Sequence, residues 1–204
     1  MNPVFKPGPR GTLTVRFPAI YAQLIAGLFG ELISLLDDGQ EPTAAAASTD
    51  PLAIELGLAD LGLAELDPAR PGPAAPEDPA LARLLPDGYR EDPAAAAEFR
   101  RYTEPELRAE KRRKAETVLD CLSRIPHGGK LTLTVEEAGS WLTGLNDLRL
   151  VLGTRLGIVE DDQELQQNSD PDDPRNYLIS VYYYLSYLQE SLIGGLIKVE
   201  PLKD

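Results

Sequence analysis

Trp141-Leu-Thr-Gly-Leu-Asn-Asp-Leu-Arg-Leu-Val-Leu-Gly-Thr-Arg-Leu-Gly-Ile158 decides the fold class of this chain. Leu142, Leu145, Leu148, Leu152 and Leu156 recur at helical spacing, and Leu150 and Val151 widen the stripe enough to bury one face against other helices. Asn146, Asp147, Arg149 and Arg155 lie beside that stripe. They form a candidate polar cluster with Gln189 and Glu190 of a later segment. One reading is a small-anion or peptide-terminus site. The other is a set of buried hydrogen-bonded pairs that fix helix register.

Working outward, Thr134 and Glu137 form a capping box that starts this helix near 134, and Gly157 ends it. Before it, Lys130-Leu-Thr-Leu-Thr134 alternates as a strand behind the breaker Pro126-His-Gly-Gly129. Val4–Lys6 and Thr12–Arg16, joined by Pro-Gly-Pro-Arg-Gly, read as a hairpin. Thr12-Leu-Thr-Val15 echoes Thr132-Leu-Thr-Val135, which suggests that the two strands pair, although short strands also look alike by chance. Pro18 opens a helix to about Leu36, whose apolar residues cover more than one stripe. Ala94–Arg101 forms a further helix. Thr103-Glu-Pro-Glu106 reads as a second capping box, starting a separate helix that runs to about Arg124. Asp173-Pro174 opens a last helix with Leu178, Val181, Leu185, Leu188 and Leu192 in register. The expected fold is mainly α: a helical bundle built near 18–36, 104–124, 134–156 and 174–194, with a small antiparallel β-sheet of two or three short strands at one end.

Residues 1–204 read as a single domain carrying a flexible Pro/Ala-rich insertion at 39–79. Within it, Asp50-Pro51 starts a short helix to about Leu56. Residues 67–79 hold too little apolar surface to offset the entropy of ordering.

The formal net charge of −13 argues against a general affinity for nucleic acid. One local stretch runs the other way: Arg100, Arg101, Arg108, Lys111, Arg112 and Arg113 are a candidate DNA or partner surface, since several share a helical face and can track phosphates. Interleaved acids offer a plainer account, with Glu104–Arg108 and Glu110–Lys114 as i,i+4 pairs on a solvated face. Tyr177, Tyr182, Tyr183, Tyr184 and Tyr187 cannot all face inward on one helix, so a mixture of core and exposed partner-binding positions is expected.

Cys121 is the one cysteine, so no intramolecular disulfide can form and a reducing cytoplasm is expected. Val118, Leu122 and Ile125 share its face, which predicts a buried, inert thiol. The sharper alternative, a redox sensor, would have to pair between subunits. The N-terminal residues lack the apolar core of a signal peptide, and the apolar run near 17–36, interrupted by Gln23 and Glu31, suits a buried helix better than a membrane span. The acidic runs Glu160–Asp162 and Asp170–Asp173 lack the frame of a calcium loop and read as capping and solubility. Gly128-Gly-Lys130 lacks the frame of a phosphate loop. With His127 alone, no nucleophile–base frame and no metal set can be assembled, so neither catalysis nor a cofactor is expected.

Leu145–Ile158, together with Leu84-Leu-Pro-Asp-Gly-Tyr-Arg-Glu-Asp92, Glu98-Phe-Arg-Arg-Tyr-Thr-Glu-Pro-Glu-Leu-Arg108 and Tyr184-Leu-Ser-Tyr-Leu-Gln-Glu-Ser-Leu192, resembles an actinobacterial family of domains of unknown function. The resemblance spans nearly the whole chain except the proline-rich loop. That family lies beside the gene for the ClpS protease adaptor and includes oxidative-stress transcriptional regulators. The resemblance implies a cytoplasmic, non-enzymatic regulator that contacts a sigma factor or RNA polymerase, with DNA as a further candidate ligand. Its alternative implication is a proteolysis-linked adaptor or scaffold. The lone Cys121 departs from any two-cysteine switch within one chain.

Overall fold

The computed structural model describes residues 3–38, 73–89, 91–158 and 173–199. The element order is β1 (Lys6–Pro7), a 3₁₀ turn (Pro9–Gly11), β2 (Leu13–Pro18), α1 (Ala19–Asp37), α2 (Pro79–Leu84), α3 (Pro93–Ser123), β3 (Gly128–Leu133), α4 (Val135–Leu156) and α5 (Pro174–Leu196). The mainly-α expectation holds, with a three-stranded antiparallel sheet in the order β1-β2-β3. The echoed strands do pair: Leu13 sits opposite Leu133 and Val15 opposite Leu131. Leu13, Val15 and Phe17 on β2, with Leu131 and Leu133 on β3, all point to the core, as the period of two requires. The sheet's last pair brings Gly128 against Pro18. Gly128 has φ +75°, and a Cβ there would stand 2.5 Å from the Ala19 backbone N, so only glycine lets β3 pass the start of α1.

Local signals set most helix ends. Thr134 and Glu137 form the reciprocal capping box at the start of α4, and Gly157 closes it in the left-handed conformation at φ 72°. Asp78, Asp92 and Asp173 each accept backbone N–H bonds just ahead of a first-turn proline at the starts of α2, α3 and α5. Three expectations need correction. The Thr103–Glu106 box starts no helix: α3 runs unbroken from Pro93 to Ser123 through Pro105. Thr103 instead donates its hydroxyl back to the Phe99 carbonyl, and Glu104 pairs with Arg108. An interior proline costs about 3 kcal/mol, and tertiary bonds made by Arg100 and Arg108 on either side hold the helix across it. Second, Gly128 and Gly129 belong to β3 rather than to a breaker. Third, α2 begins at Pro79, the last residue of the expected flexible insertion, and was not among the expected helices; Asp78-Pro79 supplies its start signal. The expected helix at 50–56, residues 39–72 of the expected 39–79 insertion, and residues 160–162 and 170–172 of the acidic runs lie outside the described residues.

The core gathers around Trp141 of α4, which is fully buried. Its indole stacks on Phe17 of β2 at 5.7 Å between centroids and meets Phe5 and Phe29 edge-on at 6.0 and 6.5 Å. The N-terminal strand is also pinned by a 2.9 Å bond from the Phe5 amide to Ser191 of α5. By length and composition α1 is apolar enough to cross a membrane. Its Ile25, Phe29, Leu32 and Leu36 are spent on the core, while Ile20 stands exposed.

Gly144 marks a close approach of α4 to the Phe29 side chain of α1, because a Cβ there would lie 2.6 Å from Cε1 of the fully buried Phe29 ring. Gly-to-Ala inside a helix ordinarily stabilises by up to about 1 kcal/mol. Here overpacking outweighs propensity, and Gly144→Ala is expected to destabilise by about 1–3 kcal/mol. A urea midpoint at or above wild type would contradict this packing.

Candidate functional site

The cations of α3 are held mostly by this chain's own groups. Arg100 and Arg108 are each 6% exposed, so neither belongs to a surface. Arg100 pairs with Asp87 and donates from Nε and Nη2 to the Pro73 carbonyl at 3.2 and 3.0 Å. Arg108 binds Glu104 and donates from Nη1 to the carbonyls of Leu36 at 2.7 Å and Asp38 at 3.2 Å. These two residues are thereby removed from the expected basic surface. Lys111 reaches the carboxylate of Asp147 on α4 at 2.7 Å. Arg112 bridges Asp37 of α1 and Glu116, and Lys114 pairs with Glu110. Arg112 and Arg113 remain exposed, and Arg101 is half-buried. The i,i+4 pairs Glu104–Arg108 and Glu110–Lys114 are both present, as the interleaved acids implied.

The polar residues of the signature helix do not converge on one point. They radiate from α4 toward three neighbours. Asp147 turns to Lys111 of α3. Arg149 turns to α5, donating to Gln189 Oε1 at 2.6 Å and lying 5.4 Å from the Tyr182 ring centre as a cation–π pair. Arg155 pairs with Asp78 at the start of α2. Asn146 and Glu190 face outward. Asp147 is 2% exposed and its Oδ2 has no partner. Burial therefore pushes its carboxyl up, against the opposing pull of the Lys111 ammonium. At the other extreme, slight burial raises Asp78, but Arg155 and the Ala80 and Leu81 amides outweigh it and hold the carboxyl below its ordinary value. Among the described residues these contacts tie α4 to α3, α5 and α2. The pairing of Arg149 with Gln189 was the contact visible in the sequence. The Lys111–Asp147 and Arg155–Asp78 pairs were not, although an acid inside an apolar stripe signals a cation somewhere across the interface.

The profile of the domain of unknown function DUF2017 matches residues 1–196. This chain belongs to the DUF2017 family. It is 34% identical over 185 residues to the proteins named oxidative stress regulator AosR in Mycobacterium bovis and Mycobacterium tuberculosis, covering 84% of this chain and 76% of theirs. It is 33% identical over 187 residues to the putative oxidative stress regulator AosR of Mycobacterium leprae, with 85% and 77% covered. No solved structure matches it.

In this DUF2017 chain, α5 divides its tyrosines as expected: Tyr182 is buried, Tyr177 and Tyr183 are exposed, and Tyr184 stacks on Tyr21 of α1 at 4.8 Å. Burial raises the Tyr184 hydroxyl well above its ordinary range. Cys121 has no exposed surface. Burial pushes its thiol up, and this outweighs the downward pull of Arg124, which donates to the sulfur at 3.0 Å. Arg124 is further committed to Glu137 of the α4 capping box.

A thiol so placed reacts only when the fold opens. With an excess of an aromatic disulfide reagent, Cys121 is expected to label slowly in the native protein and at once in denaturant, and oxidant is expected to give no disulfide-linked dimer. Fast native labelling, or a reducible dimer abolished by Cys121→Ser, would contradict the burial described here.

Proposed function

We propose that this chain is a non-enzymatic regulatory protein of the oxidative-stress type that works through protein contacts with the transcription machinery, the DNA being held mainly by that partner. The relatives' name supports the regulatory half of this reading. The observation that carries the other half is the commitment of Arg100, Arg108, Lys111, Arg112 and Lys114 to acids and carbonyls of the chain itself. A phosphate contact at these positions would first have to break a bond already made, against a net charge of −13. Exposed Tyr177 and Tyr183 on α5, and Tyr89, Phe99 and Tyr102 around the start of α3, supply the aromatic surface that protein interfaces favour.

The test is binding to promoter DNA across a salt series, with and without RNA polymerase holoenzyme. DNA association that appears only when polymerase is present supports the proposal. Direct binding would contradict it if log K fell steeply with log salt, by about 0.9 per phosphate contacted, and if the slope flattened in Arg112→Ala and Arg113→Ala. No association in either format would also contradict it.

A further inference from the structure

Among the described residues, α1 and α4 leave an open groove of about 810 Å³. α1 is more apolar than its burial requires. Its buried side chains are Ala22, Ile25, Phe29, Leu32 and Leu36, whereas Leu24, Leu28, Ile33 and Leu35 are half-buried. Leu28, Leu32 and Leu35 of α1 and Leu148, Val151 and Leu152 of α4 lay the groove floor. Each row has the spacing of one helical face, so the two helices offer adjacent ridges between which a third helix can seat its own apolar stripe. An open trough whose charged groups stand on its rim suits a helix better than a small molecule, which needs polar groups converging inside an enclosed site.

The rim sets the charge of what can lie there. Glu31, Asp37, Asp38 and Asp78 line the groove against Arg155, and Asp78 takes that cation. Asp37 is paired with Arg112. Glu31 and Asp38 are exposed, and their carboxylates meet no cation among the described residues. The last turns of α1 and α4 both reach this groove, and their terminal carbonyls add partial negative charge. A second copy of the chain would set these acids against their own kind, whereas a basic helix would complement them.

We propose that the α1–α4 groove receives an amphipathic helix of a protein partner, with its apolar stripe on the leucine floor and its flanking lysines or arginines against Glu31 and Asp38. This names the surface for the protein contacts proposed above and rests on that reading. The leucines supply affinity through apolar area removed from water. The two carboxylates supply selection, because an acid-flanked helix of the same shape is repelled.

The probe is a fluorescent synthetic helix of about 18 residues, with leucines at i, i+3, i+4 and i+7 and lysines beside them, and a twin carrying glutamates for the lysines. Fluorescence anisotropy with the full chain is expected to show the lysine helix binding at least about tenfold more tightly than its twin. Glu31→Lys with Asp38→Lys is expected to abolish or reverse that preference. Glu106→Lys with Glu190→Lys makes the same charge change at exposed positions outside the groove and is expected to leave the preference in place. Circular dichroism checks that all variants keep their helices. A photoreactive p-benzoylphenylalanine in the leucine stripe of the probe is expected to cross-link to residues 28–35 and 148–152. No binding, equal loss in the two double variants, cross-links elsewhere, or a sedimenting dimer of the chain that Glu31→Lys with Asp38→Lys breaks would each overturn the proposal. The assay contains neither polymerase nor DNA, so its failure leaves the promoter test standing, and the promoter test can fail while the helix still binds.

Discussion

The indole of Trp141 is where the architecture is joined. It carries Phe17 of the central strand on its face, and Phe5 and Phe29 against its edges. One α4 side chain therefore fixes the N-terminal strand, β2 and α1 at once. Each aromatic pair adds about 0.5–1.5 kcal/mol beyond simple burial. More important is geometry, because the sheet's inward face and α1 must meet α4 at the distance this ring sets. Gly144, one turn on, is the matching constraint: it makes room for Phe29, so the large residue and the absent one belong to a single packing solution.

Around that apolar joint, charge does structural work at the helix interfaces. Lys111–Asp147 crosses from α3 to α4, Arg112–Asp37 from α3 to α1, and Arg155–Asp78 from α4 to α2. Of the three, Lys111–Asp147 is buried, and a pair of that kind adds little net stability over apolar replacements but penalises any packing that separates it; the two more exposed pairs hold more weakly. The α3 stretch that looks in sequence like a nucleic-acid footprint is thus largely a set of register pins. That is the physical reason for favouring protein contacts over phosphate contacts in the function proposed above.

What could be read from the sequence was whatever depends on neighbours in the chain. The Thr134–Glu137 box, the Asp173-Pro174 start, the leucine stripe of α4 and the alternation of the strands are all local, and all were legible. Thr103-x-x-Glu106 has the same local form as a true cap, yet lies mid-helix, because bonds from Arg100 and Arg108 to distant carbonyls decide the matter. Asp78-Pro79 carried a readable start signal for α2 but was masked by the prolines before it. In the site, Arg149–Gln189 could be guessed from facing helices. Lys111–Asp147 could not, since nothing local says which cation meets a lone buried acid.

The central claim is that α3 uses its cations to hold this protein together. Chemical unfolding of Arg108→Ala beside Arg113→Ala tests it most directly. Removing Arg108 orphans Glu104 and the Leu36 and Asp38 carbonyls, for an expected loss of about 3–5 kcal/mol, whereas exposed Arg113 is expected to matter by no more than about 0.5 kcal/mol. Equal, small losses for the two variants, accompanied by weakened DNA binding in Arg108→Ala, would contradict the account.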